Sequence, residues 1–160
     1  MSNLILSIGL MSGTSSDGID ASIIKSNGEN QVYFLGNYFL PYDKKTKLKI
    51  RNLKEKINLF TDLEKHKLEI NALEKEITLF HAKTVNLILK KCQIDNSKIN
   101  LIGFHGHTIF HNFKEKKTKQ IGDGKLLSQL TSLNVVNNFR ENDINNGGQG
   151  APLVPIFHKL

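Results

Sequence analysis

The chain has 160 residues, of which 39% are hydrophobic, and this is enough for one domain with a sizeable core. Its formal net charge is +7, and the cations are lysines that alternate with glutamates over residues 44–56 and 65–91, with arginine at positions 51 and 140 alone. This pattern predicts solvated helix faces and disfavours a nucleic-acid surface, which would cluster arginines and interleave them with aromatic residues.

The first quarter of the chain predicts three strands joined by tight turns. They cover Leu4 to Met11, Asp20 to Lys25 and Gln31 to Tyr42, and Asn27-Gly28 is a hairpin signal between the second and the third. An antiparallel start of the sheet follows from these short connections.

The connection between the first two strands is typical of a phosphate-binding turn. Gly13 and Gly18 are expected to adopt backbone angles that other residues disfavour, so that successive N–H groups point at an anion. Asp17 and Asp20 could position hydrated Mg²⁺ beside that anion through water. Three hydroxyl groups add donors: Thr14, Ser15 and Ser16. The turn lacks the lysine of a Walker A sequence, and from the residues alone an ordinary hairpin turn is an equal alternative.

The middle of the chain alternates helices and short strands. Apolar residues at helical period predict helices at Lys44 to Phe60 and Leu68 to Lys91. Further along come a strand, a helix with an acidic cap and another strand, over Asn100 to Phe104, Asp123 to Thr131 and Leu133 to Asn137. Residues 114–119 predict a lysine-rich surface loop. Periodicity alone supports an α/β or α+β domain.

Three histidines lie close together at His105, His107 and His111. On a regular strand His105 and His107 share one face, and His111 could return to them after a turn, which would suit a metal site. No carboxylate or cysteine adjoins them to complete the ligand sphere, so the polar lining of a cleft and ordinary structural roles are both favoured over metal binding.

The C-terminal segment carries the other candidate residues. The run Gly147-Gly-Gln-Gly150 and the prolines after it predict a stiff loop at a cleft edge, with a tight turn that caps a helix as the alternative. Arg140 and Asp143 precede the run. A catalytic role for Asp143 and a buried Arg140–Asp143 pair that only orients the loop are both open.

Four motifs occur in order: residues 9–20 (GLMSGTSSDGID), 103–108 (GFHGHT), 120–123 (QIGD) and 147–155 (GGQGAPLVP). Together they resemble the anhydro-N-acetylmuramic acid kinases, sugar kinases of the actin, hexokinase and Hsp70 fold group. The resemblance implies an α/β fold, an actin-like (ribonuclease H-like) lobe whose mixed sheet has three antiparallel N-terminal strands and flanking helices. The chain departs from the family at two positions. The family commonly has Asp at position 138, where this chain has Asn138, and usually has Gln at position 107, where this chain has His107.

The resemblance also implies roles for individual residues. The cofactors would be ATP and Mg²⁺, with Asp143 as general base and with His105, Arg140 and Gln149 contacting the sugar. The implied ATP-binding residues are Gly13, Thr14, Ser15, Ser16, Asp17, Gly18, Ile19 and Asp20. The substrate would be 1,6-anhydro-N-acetylmuramic acid, an anhydro amino sugar of recycled peptidoglycan, which is converted to N-acetylmuramic acid 6-phosphate.

The 160 residues are expected to form the first lobe only, because family members are longer and carry a second lobe. We therefore expect negligible activity from this chain alone, and a homodimer or a complementing C-terminal fragment as its partner. A non-catalytic remnant that binds nucleotide or sugar is the alternative, and a basic nucleic-acid module is a weaker one. The single cysteine, Cys92, fits a reducing compartment, and no apolar run approaches a membrane span, so we expect a cytoplasmic protein without membrane contact.

Overall fold

The computed structural model describes residues 4–154 and arranges six strands in one mixed sheet. The strands are β1 (Ile5–Ser12), β2 (Gly18–Ser26), β3 (Val32–Pro41), β4 (Leu101–Asn112), β5 (Lys117–Ile121) and β6 (Val135–Val136). The helices are α1 (Lys44–Lys56), α2 (Asp62–Lys65), α3 (Lys67–Cys92), α4 (Gly124–Thr131) and α5 (Phe139–Asn145), with a 3-10 turn at Asn96–Lys98.

The strands pair in the order β3-β2-β1-β4-β5, and β6 pairs with β4 as well. The predicted antiparallel start is confirmed, since β1 to β3 are antiparallel neighbours. In contrast, β1 is parallel to β4, and β4 is parallel to β6. A parallel pair needs a long crossover, and α1 to α3 supply it between β3 and β4. The mixed sheet with helices is the α/β arrangement that the sequence predicts.

One face of the sheet holds the core. Ile8, Ile23 and Ile102 are fully buried on it, and Phe104 stacks edge-on against His81 of α3 at 4.8 Å between ring centroids. Successive strand residues point to opposite faces, so Gly103 faces away from α3. On that second face the ring of Phe139 lies 3.7 Å from where a Cβ of residue 103 would stand. Helix α5 therefore covers part of the face opposite to α3.

The predicted strand at residues 100–104 is too short. β4 runs on to Asn112, and the predicted surface loop at 114–119 is largely β5, which pairs antiparallel with the second half of β4. Lysines predicted a loop here because they are depleted in strand interiors, but β5 ends the strand order as an edge strand, where lysines are common. In contrast, the predicted strand at 133–137 is reduced to Val135–Val136.

Helix boundaries follow local capping. Asp43 accepts a hydrogen bond from the Thr46 N–H at 2.7 Å and begins α1, and Asp123 does the same for α4. The predicted first helix extends too far: α1 ends at Lys56, and α2 is a separate turn. The predicted second helix is confirmed as α3, whereas α5 is not predicted by periodicity. Within residues 4–154, the helices fall short of the length and apolarity that a membrane span requires.

Candidate functional site

The β1–β2 connection is a tight turn at the carboxyl end of β1. The Ser16 N–H donates to Gly13 O at 3.0 Å, and the Tyr42 N–H donates to Asp17 O at 3.0 Å. The expectation that Gly13 and Gly18 supply the unusual backbone angles is wrong, because Ser16 adopts the left-handed conformation, with φ of 59°. Gly18 is needed for another reason: a Cβ there would collide with the backbone of β3.

A buried hydrogen-bond network supports this turn from below. Nδ1 of His107 lies 2.8 Å from Ser12 Oγ, Nε2 of His107 lies 3.5 Å from Ser16 Oγ, and Tyr42 Oη lies 2.9 Å from Ser12 Oγ. Burial lowers the pKa of His107 to about 4, so its ring is neutral at pH 7. His107 is fully buried and therefore supports the turn instead of lining a cleft.

Helix α1 places cations beside the same turn. Lys54 Nζ donates to Thr14 O at 3.0 Å, and Lys47 Nζ lies 3.9 Å from Asp17 Oδ1. Between the turn and α1 is a cavity of about 470 Å³, lined by Thr14, Ser15, Ser16, Lys47, Arg51, Lys54 and Glu55. The prediction that residues 44–56 carry only a solvated charged face is wrong for the two lysines that contact the turn.

Helix α5 and the glycine run form a clamp. The Gly150 N–H donates to Asp143 Oδ2 at 2.8 Å, while Arg140 donates through a guanidinium N–H to Gly150 O at 3.3 Å. Arg140 Nε also donates to Nε2 of His105 at 2.7 Å. Gly148 packs so closely on the Asp143 carboxylate that a Cβ would collide with it. Asp143 and Arg140 thus both hold Gly150, and one oxygen of Asp143 remains for other chemistry.

A larger cavity of about 970 Å³ opens beside this clamp. It is mostly apolar, and its polar side chains include His105, Arg140 and Asp143. Burial lowers the pKa of His105, so His105 is neutral at pH 7 and accepts the hydrogen bond from Arg140. The cavity is lined by Met11, His105, Phe139, Arg140, Asn142, Asp143, Asn146, Ala151, Pro152, Leu153 and Val154.

The three histidines do not converge. Leu10 pairs with Phe104, but Ser12 pairs with His107, so β4 holds one extra residue opposite β1. This bulge coincides with Gly106, at φ of 71°, and turns His107 toward Ser12 while His105 faces α5. The expectation that His105 and His107 share a face is therefore wrong. Among residues 4–154, the structure contains no group of three or more His, Cys, Asp or Glu placed to hold a metal ion.

The other predicted site residues are distributed unevenly around the turn. Asp17 is exposed on it, and Asp20 is exposed opposite Met11 in the β1–β2 pair. Ile19 is fully buried, so its side chain belongs to the core. Gln149 is exposed and does not line the large cavity. Sequence reasoning missed Lys47, Arg51 and Lys54, whose only signal was their helical spacing.

Comparisons with known proteins identify similar sequences. A family model described as "Anhydro-N-acetylmuramic acid kinase" matches residues 5–160. A protein of Pelagibacter ubique called anhydro-N-acetylmuramic acid kinase is 54% identical to this chain over 100% of its residues. A protein of the same name from Paramagnetospirillum magneticum is 39% identical over 97% of the chain. A third, from Zymomonas mobilis, is 42% identical over 96% of the chain. The chain spans 42%, 41% and 43% of the length of these relatives, respectively.

Proposed function

The chain belongs to the anhydro-N-acetylmuramic acid kinase family, and we propose that it forms the N-terminal lobe of an ATP-dependent kinase for 1,6-anhydro-N-acetylmuramic acid. The order β3-β2-β1-β4, with three antiparallel strands and then a parallel one, supports an actin-like lobe. The resemblance to the family implies that the turn after β1 binds the phosphates of ATP.

The juxtaposition of two features at the end of β1 carries this proposal. Met11, near the end of that strand, lines the large cavity together with Asp143 and the His105–Arg140 pair. Three residues further on, the turn presents the exposed Thr14 and Ser15. A sugar in the cavity and a phosphate chain at the turn would thus occupy neighbouring positions, as phosphoryl transfer requires.

Asp143 is the proposed general base. Its Oδ2 is occupied by the Gly150 N–H, which fixes the carboxylate, and Oδ1 can accept a proton from water. That water attacks C1 of the anhydro sugar, the C1–O6 bond breaks, and O6 takes the γ-phosphoryl group of ATP while ADP leaves. The neutral His105 accepts from Arg140 at Nε2, so its single N–H is on Nδ1 and donates to Gly106 O at 3.0 Å. The cationic Arg140 is therefore the proposed donor to the sugar oxygens in this cavity, and His105 positions it.

The residues of the turn fit a phosphate chain. Thr14 and Ser15 are exposed and line the same cavity, where their hydroxyls can donate to an anion. Asp17 and Asp20 are exposed carboxylates that would hold Mg²⁺ through water, as is usual for this ion. Bound Mg²⁺ would screen the charge that develops on the phosphates.

A turnover assay tests the role of Asp143. Because we expect negligible activity from this chain alone, it is incubated with a complementing C-terminal fragment of the Pelagibacter ubique relative, Mg-ATP and the anhydro sugar, and the 6-phosphate is measured by mass spectrometry. Asp143→Asn keeps an oxygen that accepts from the Gly150 N–H but cannot take a proton, so we expect the rate to fall by about 10² to 10⁴. The matched control is Glu141→Gln, an exposed residue of the same helix. Equal rates for Asp143→Asn and the parent would refute the assignment.

Nucleotide binding is measured separately by calorimetry with Mg-ATP, with Asp17→Ala as the variant of the turn. Saturable binding that Asp17→Ala weakens, together with sugar phosphorylation, supports the kinase. Saturable binding without any 6-phosphate favours the second candidate, a lobe that binds nucleotide or sugar without catalysis, and the short span relative to its curated relatives is the observation behind that candidate.

A further inference from the structure

The side of α1 that faces the turn is cationic. Lys47, Arg51 and Lys54 recur at spacings of four and three residues, so they lie on one stripe of the helix. The neighbouring stripe is buried and packs on the core through Thr46, Ile50 and Leu53. Packing of this buried stripe fixes the rotation of α1 and thereby directs the cations at the turn.

The residues that line the cavity under this stripe have a net positive charge. The lining has three cations and one carboxylate, Glu55, which leaves a formal charge of +2. Glu55 accepts from Arg51 Nε at 3.2 Å, which leaves the two terminal guanidinium nitrogens to donate to two oxygens of a phosphoryl group. The remaining lining consists of Thr14, Ser15 and Ser16. The exposed Thr14 and Ser15 hydroxyls are available as donors, whereas the Ser16 N–H already donates to Gly13 O.

Two contacts couple the stripe to the turn. Lys54 Nζ holds Thr14 O at 3.0 Å, so one cation is already anchored at the mouth of the cavity. Lys47 lies 3.9 Å from Asp17, an exposed carboxylate whose attraction for it is weak. The cavity of about 470 Å³ is also large enough for several phosphoryl groups.

We propose that this cavity is a phosphoryl-anion site in which α1, through Lys47, Arg51 and Lys54, provides the cations that the Walker-type lysine provides elsewhere. The ligand class is a chain of phosphoryl groups. Its identity as the triphosphate of ATP rests on the proposed kinase function, whereas anion binding by the stripe does not.

Calorimetry at constant ionic strength tests the site with three probes: Mg-ATP, tripolyphosphate and inorganic phosphate. We expect Arg51→Gln and Lys54→Gln each to raise the Kd for Mg-ATP and tripolyphosphate about tenfold, because each removes one charge-assisted contact. Lys54→Arg keeps the charge and should stay within threefold of the parent. The matched control is Lys45→Gln, which removes the same charge from an exposed position of α1 outside the cavity.

Each outcome separates the site from the kinase proposal. Binding of Mg-ATP that Asp17→Ala weakens but both α1 variants leave unchanged overturns the site and leaves the kinase intact. Tripolyphosphate binding that the α1 variants weaken, without preference for ATP and without sugar phosphorylation, supports the site and removes its nucleotide assignment. A chain that is folded by circular dichroism and binds none of the three probes overturns the site, as does an equal loss in Lys45→Gln.

Discussion

His107 provides a sensitive test of the network below the turn. Its ring is fully buried between Ser12 and Ser16, and burial lowers its pKa to about 4, whereas an unfolded histidine titrates near pH 6.5. Below pH 6.5 His107 therefore binds a proton in the unfolded chain, whereas in the native chain it stays neutral until the pH approaches 4. The stability from the neutral ring is present in full above pH 6.5 and is lost as the pH falls toward 4.

The size of this loss follows from the difference between the two pKa values. A difference of about 2.5 units corresponds to roughly 3 kcal/mol of unfolding free energy, since one unit is worth about 1.4 kcal/mol. The fully buried His81, whose pKa burial also lowers to about 4, acts in the same direction. In His107→Gln the amide can still bond Ser12 but does not titrate, so the contribution of His107 is removed while His81 and the other groups with a lowered pKa continue to respond to acid.

The assay is urea unfolding followed by circular dichroism at pH 7.5, 6.5, 5.5 and 4.5. We expect His107→Gln to stay within about 1 kcal/mol of the parent at pH 7.5 and to lose stability with a shallower slope below pH 6.5. The control, His111→Gln, changes an exposed histidine of the same strand. Burial lowers the pKa of His111 as well, so its slope should become shallower than that of the parent, but by less than the slope of His107→Gln. Parallel slopes for the parent and His107→Gln would show that His107 titrates normally in the native state, and the reasoning would fail.

Two packing predictions complete the set. In Gly148→Ala the new Cβ would collide with the Asp143 carboxylate, so we expect a loss of about 1–3 kcal/mol in urea unfolding, whereas Gly9→Ala, with no atom within 4 Å of its Cβ, should be neutral. Leu53→Ala empties a fully buried site and should cost about 2–5 kcal/mol in the same assay, against less than about 0.5 for Leu48→Ala, which is 58% exposed. A loss in Gly9→Ala or Leu48→Ala that matches its partner would contradict these packing assignments.

The first strands and the long helix were predictable because their signals are local. β1, β2 and α3 show their periods within their own sequence, and the Asn27-Gly28 turn fixes the β2–β3 connection. β5 was not predictable, because Lys117 and Lys119 form a strand only by pairing with β4, a partner that composition does not reveal. Nor was α5, a short helix whose position depends on packing against the sheet.

In the candidate site too, some features were predictable from local sequence and others depend on the fold. Motif spacing brought Arg140 and Asp143 into consideration, but their joint hold on Gly150 depends on the fold of the glycine run. The sequence pattern of a charged helix face is the same whether that face contacts solvent or a cavity. The contact of Lys54 with the turn therefore could not be predicted from the sequence of α1. His107 was misplaced because a bulge inverts the alternation that defines strand faces.

The bulge at Gly106 connects both halves of the site through one strand. A side chain at this position would meet Ile121 O at 2.5 Å and would have to adopt a left-handed conformation, so glycine is required. Without the extra residue, His107 would point to the same face as His105, and Ser12 would lose its hydrogen bond to the His107 ring. With the extra residue in β4, His105 contacts Arg140 and His107 contacts Ser12 below the turn. Movement of β4 would therefore disturb both the Arg140 clamp and the turn after β1, so this strand couples the two cavities.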